Sequence, residues 1–110
     1  LTWYTPLFLI VNLLFTCVAE EVFFRGVLQE RLAGLLPSST MAAIIVVLCS
    51  AALFGVAHIG GGIIYVSLAT LSGIGYAYAY HATKRVEAAI LVHFIVNAVH
   101  FIGFTYPALQ

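Results

Sequence analysis

Apolar positions fall into four long runs, and polar residues mostly collect in the gaps between them. The first run covers about residues 3–19 and continues as a more polar helical stretch to about residue 32. The others cover about residues 41–57, 63–80 and 86–104. Each is close to the ~20 residues that a helix needs to cross a bilayer. In lipid every backbone N–H and C=O must be paired inside the protein, so these runs predict helices; their lengths do not suit the strands of a membrane barrel. The breaks agree. The stretch GLLPSST (34–40) holds Pro37 and serines able to cap the next helix, HIGGG (58–62) interrupts the chain with glycines, and HATKR (81–85) is a polar turn. The predicted fold class is all-α: a polytopic membrane protein whose core is a bundle of about four transmembrane helices. One domain over residues 1–110 is expected. A start at Leu1 without a charged leader reads as a piece of a longer membrane protein and not as a signal peptide.

Composition strengthens that picture. Hydrophobic residues make up 64% of the chain and charged residues 7%, against about 25% charged in soluble domains. Four basic and four acidic residues cancel, so no basic face is available for nucleic acid, and the expected surroundings are membrane lipid. Oligomeric state is not legible. Cys17 and Cys49 lie inside apolar runs and read as small reduced side chains, with no disulfide or CxxC site. Arg31, Lys84 and Arg85 lie near the two turns that four spans would place on one side, whereas the turn at 58–62 is uncharged. The excess of basic residues puts segments 31–40 and 81–85 in the cytoplasm, and the plasma membrane of a prokaryote is the expected location. Tyr76, Tyr78 and Tyr80 at one end, and Trp3, Tyr4, Tyr65 and Tyr106 at the other, suit interfacial aromatic belts. Ala69, Gly73 and Ala77 recur every fourth residue and allow close helix packing.

A few polar residues break the apolar pattern inside the runs. In AEEVFFRGVLQERL, Glu21 and Arg25 are four apart, so their side chains meet on a helix. Glu20 is turned about 100° away and needs a different partner, a water-filled cavity or a proton. Glu30 and Arg31 fit the headgroup level. His58 ends the second run, one turn after Phe54. His93 and Asn97 share a face of the fourth run, and His100 continues it. Polar groups within spans face the interior of a bundle, so three runs bring Glu20, His58, His93 and Asn97 inward. A carboxylate and an imidazole can hold and deprotonate a water, while a second imidazole and an amide can donate to an oxyanion. That set suits hydrolysis of an amide bond within the membrane.

The motifs EEVFFR (EExxxR), FGVAH (FxxxH) and HFIVN (HxxxN), in that order and on separate runs, resemble the CPBP family of intramembrane proteases, the CAAX prenyl endopeptidase type also called Abi. The resemblance covers about residues 19–99. It implies an intramembrane endopeptidase acting on a membrane-associated peptide or a prenylated protein. Glu20 and His58 would activate water, His93 and Asn97 would stabilise the oxyanion, and Glu21 and Arg25, with Phe54, would support the geometry. The family has been described both as metal-dependent and as glutamate-dependent without a catalytic metal. No tightly bound cofactor is expected here; zinc is the ion that Glu20, His58 and His93 would hold if one were used, although HExxH is absent.

Two rival readings come from the same residues. Ser72 in TLSG could serve a rhomboid-type serine mechanism, but Thr70 stands where that motif has glycine, and Ser72 reads better as a packing residue. The aspartyl class needs two aspartates and the chain has none. The other rival is a non-catalytic binding or bacteriocin-immunity module of the same fold. One geometric expectation opposes a shared site. Counted along straight helices from level ends, Glu20, His58 and His93 would lie roughly 18, 27 and 10 Å deep; tilt, a break in the first helix near the glutamates, or re-entry near Gly60 would close that spread.

Overall fold

In the computed structural model, residues 3–105 are described. Four helices account for nearly all of them: α1 (Tyr4–Gly34), α2 (Thr40–Val56), α3 (Ile63–Thr83) and α4 (Val86–Gly103). No strand occurs among the described residues. The bounds follow the predicted runs. α1, α3 and α4 are long and apolar enough to cross a membrane, whereas α2, equally apolar, has 17 residues. At 1.5 Å per residue α2 is about 26 Å long, slightly under a ~30 Å hydrocarbon core. α1 is about 46 Å by the same measure and runs most of the 50 Å length of the molecule.

The capping chemistry explains the turns. Ser39 has extended backbone, and its hydroxyl accepts from the Ala42 N–H at 3.1 Å, which starts α2. A single 3₁₀ turn, Ile59–Gly61, follows α2. Gly62 then takes φ 96° to enter α3, a conformation that side chains with a Cβ resist. Lys84 ends α3 in the left-handed region at φ 58°.

The burial pattern is inverted relative to a soluble protein. Glu21, Arg25, Gln29, Ser50 and His93 are buried, while most Leu, Ile and Val side chains lie on the outside. An apolar exterior around a polar core suits lipid surroundings, and the chain is an integral membrane protein by this pattern and its spans. On α1, Glu21, Arg25 and Gln29 form a stripe at intervals of four. Arg25 Nη1 donates to Ser50 Oγ on α2 at 2.8 Å, and Nη2 donates to the Gly73 carbonyl on α3 at 3.5 Å. Gln29 Nε2 donates to the Ala77 carbonyl at 3.1 Å. Glu21 reaches His93 on α4. One polar stripe therefore ties α1 to each of the other helices.

Small residues bring α2 and α3 together. Ala69, Gly73 and Ala77 are buried on the contact face as their spacing predicts. A Cβ on Gly73 would lie 3.1 Å from the Phe54 ring, and one on Gly55 would collide with Thr70.

The structure corrects two expectations. Tyr76 and Tyr80 are not belt residues: both are buried, Tyr76 stacked on His93 and Tyr80 donating to Glu30 Oε2 at 2.6 Å. Tyr78, between them, faces outward. On a helix, residues four apart share a face and the one midway between them faces away, so with Tyr76 and Tyr80 turned into the bundle only Tyr78 of the three can meet the interface. Tyr106 lies outside the described residues. The second correction concerns depth. Glu20 lies 3.6 Å from each of His58 and His93, so the helices cannot be straight, parallel and level at their ends. α1 is also not ideal: Asn12–Cys17 and Val22–Gln29 are π-wound, on either side of the turn that carries the glutamates.

Candidate active site

Glu20 occupies the centre of the polar cluster. Its Oε2 lies 3.6 Å from His58 Nε2, and its Oε1 lies 3.6 Å from His93 Nε2. Both separations exceed a direct hydrogen bond. The Glu20 side chain keeps 31% exposure, against 17% for His58 and 5% for His93, so the carboxylate is the most accessible member.

The far nitrogens of the two imidazoles are fixed. His58 Nδ1 lies 2.6 Å from the Phe54 carbonyl. That oxygen can only accept, so Nδ1 carries the proton and donates it, and Nε2 of a neutral ring is left as an acceptor toward Glu20. His93 Nδ1 lies 2.7 Å from Glu21 Oε2 and donates to the carboxylate in the same way. Glu21 Oε1 in turn lies 2.9 Å from Arg25 Nε, an ion pair whose two side chains are fully buried. The contact lacks hydrogen-bond alignment, so it holds by charge. Arg25 thus balances the charge of Glu21 inside the bundle.

Aromatic rings set the imidazole planes. Tyr76 stacks on His93 with centroids 4.4 Å apart, and Phe54 meets both His93 (5.7 Å) and His58 (4.6 Å). Arg25 also lies 5.1 Å above the Phe54 ring. Phe54 thus contacts both histidines as well as the arginine that anchors Glu21.

A cavity of about 400 Å³ opens over this cluster. Glu20, His58, His93 and Asn97 line it, with Thr16, Ser72, His100 and an apolar wall of Tyr65, Leu68, Ala69 and Val96. Its size and mixed lining are those of a small-molecule or peptide site. Residues 2–99 match the family model described as type II CAAX prenyl endopeptidase Rce1-like. The chain belongs to that family. No curated protein and no solved structure matches it. For a member of the Rce1-like family, an intramembrane endopeptidase is the activity supported at family level, and a membrane-associated peptide or lipidated protein is the implied substrate.

The geometry gathers all the residues singled out in the sequence of this Rce1-like chain: Glu20, His58, His93 and Asn97 around the cavity, and Glu21, Arg25 and Phe54 behind them. Ser72 lines the cavity as well. Among the described residues, no group of three or more His, Cys, Asp and Glu side chains is arranged to hold a metal ion. His58 and His93 face different oxygens of Glu20.

Sequence reasoning missed Ser50, Gln29, Tyr76, Asn12 and Cys17. Two of these had signals. Gln29 extends the Glu21–Arg25 spacing by one more turn, and Ser50 is the last polar residue of α2 before His58, eight positions earlier. Asn12 Oδ1 lies 3.3 Å from Asn97 Nδ2, and nothing in the apolar run around it points to that contact.

Proposed function

We propose that the chain cleaves a peptide bond in a lipidated or membrane-associated peptide, with Glu20 as the general base and no covalent intermediate. Two acceptors, Glu20 Oε2 and the neutral His58 Nε2, stand 3.6 Å apart. A water placed between them donates one proton to each, and its lone pair is left for attack on the scissile carbonyl carbon. As the C–O bond forms, the water proton passes to Glu20 and the carbonyl electrons move onto oxygen. In its imidazolium form, with Nδ1–H held by Glu21, His93 donates through Nε2–H to that oxyanion, together with the Asn97 amide. Collapse breaks the C–N bond as Glu20 returns the proton to the leaving nitrogen, the remaining proton of the new acid passes to the amine, and the products are a carboxylate and an ammonium. Glu21 supports the step by holding His93 through Nδ1, as the buried carboxylate of a hydrolase triad holds its imidazole.

The observation that carries this reading is the position of Glu20, between two imidazole Nε2 atoms and on the cavity wall. The apolar wall would take the hydrophobic part of the substrate. The two turns that bear basic residues border one second cavity, lined by Pro37, Ser38, Ser39, His81 and Lys84. That shared end supports a cytoplasmic placement of segments 31–40 and 81–85.

The test uses purified protein in detergent or liposomes with farnesylated and unmodified membrane-anchored peptides. Glu20→Gln is expected to abolish cleavage with an unchanged melting temperature, and Ser72→Ala to cleave as wild type. Equal cleavage by wild type and E20Q would remove Glu20 as the base. Loss with S72A alone would favour a serine nucleophile.

A further inference from the structure

Asn97 does not stand alone on the cavity wall. Its Nδ2 lies 3.3 Å from Oδ1 of Asn12 on α1 and 3.7 Å from Sγ of Cys17. Cys17, fully buried, donates its S–H to the same Asn12 oxygen at 3.4 Å. The three side chains close a triangle between α1 and α4, with the Asn12 oxygen accepting from both others.

The winding of α1 makes this triangle. Asn12 and Cys17 bound a π-helical stretch, in which residues five apart are hydrogen-bonded partners. In an α-helix a five-residue step would turn Cys17 about 140° away from Asn12. The locally widened helix instead sets both polar groups on the face toward α4. Departures of this kind collect at functional sites, and this one lies one turn before Glu20.

We propose that Asn12 is a positioning residue that fixes the direction of the Asn97 amide. An amide side chain can present either its oxygen or its nitrogen to a given spot, and only the nitrogen can stabilise an oxyanion. Asn12 Oδ1 is an acceptor, so it draws the Asn97 NH₂ group toward α1 and away from the reverse orientation. Asn12 Oδ1 and Cys17 Sγ lie 3.4 Å apart on the same side of the Asn97 nitrogen, so one N–H faces both, and the second is the one Asn97 offers to the cavity. Without Asn12 the amide samples both orientations, and an oxygen turned toward the reacting carbonyl would oppose the developing charge. This role rests on the oxyanion reading of Asn97 given above.

The experiment compares kcat and KM for N12L, N12A, N12D, N97A and the double variant N12L/N97A on the farnesylated peptide, with melting temperatures for each. N12L and N12A are expected to lower kcat about 10–100-fold, less than the loss of a donor outright, with KM within about twofold. N12D keeps an accepting oxygen in either protonation state and is expected to stay within about threefold of wild type. N12L/N97A is expected to be no slower than N97A, because the residue that Asn12 positions is gone. Wild-type kcat in N12L and N12A, failure of N12D to recover the rate, or an equal N12L loss in the N97A background would each overturn the positioning role and leave Glu20 chemistry intact. N97A as fast as wild type would overturn the oxyanion role together with this one. If N12L melts too low to assay, N12A and N12D carry the same comparison.

Discussion

Glu21 Oε2 lies 2.7 Å from His93 Nδ1, so a residue of the first helix holds an imidazole of the fourth. The same carboxylate faces Arg25 through its other oxygen. Glu21 therefore links the polar stripe that joins the helices to the ring proposed to meet the oxyanion. The adjacent Glu20 points instead into the cavity. Two neighbouring carboxylates thus point apart because a helix turns them about 100°, one inward to a fixed partner and one toward the cavity.

Glu21→Ala is expected to be destabilising in a way that Glu20→Gln is not. It leaves Arg25, fully buried, as an uncompensated charge, and such losses cost about 3–5 kcal/mol. It also frees His93, so kcat falls with stability. Replacing both partners, as in E21L/R25M, is expected to recover much of the stability but none of the activity. Unfolding titrations in mixed micelles together with cleavage rates check this. A double variant as active as wild type would show that Glu21 does not act through His93.

Ser50→Ala removes the hydroxyl that accepts from Arg25 Nη1 at 2.8 Å. Ser50 is fully buried, so water cannot replace it, and the loss of a hydrogen bond to a charged group is expected to cost about 1.5–3 kcal/mol. The Glu21–Arg25 pair survives, so kcat is expected to stay within a few-fold. Stability and rate falling together by orders of magnitude would place Ser50 in the chemistry instead of the scaffold.

How far these relations were legible in the sequence depended on distance along the chain. Helix bounds could be read because apolar runs and their breaks are local. The Glu21–Arg25 pair followed from a four-residue spacing, and the inward placement of Glu20, His58, His93 and Asn97 from the cost of polar groups in lipid. The partner of each inward group was not legible. Nothing local tells that Glu21 meets His93 across 72 positions, or that Tyr76 leaves its tyrosine neighbours to stack on the same ring. The depth estimate failed for a related reason: it assumed ideal helices, while α1 is π-wound on both sides of the glutamates. Asn12 was invisible because its contacts with Cys17 and Asn97 form across that winding.

Metal removal discriminates between two ways of activating water. His58 and His93 face opposite oxygens of Glu20, each at 3.6 Å, and among the described residues no group of three His, Cys, Asp or Glu ligands forms a metal site. A zinc held by protein takes at least three such ligands with bonds of about 2.0–2.2 Å. On the proposed mechanism, in which Glu20 and His58 polarise the water directly, cleavage of the farnesylated peptide is expected to stay within about twofold after incubation with EDTA or 1,10-phenanthroline and removal of the chelator. Elemental analysis of the active sample is expected to give well under one equivalent of transition metal per chain. Activity lost to the chelator and restored by zinc would move water activation from the Glu20–His58 pair to an ion, with these residues recast as its ligands.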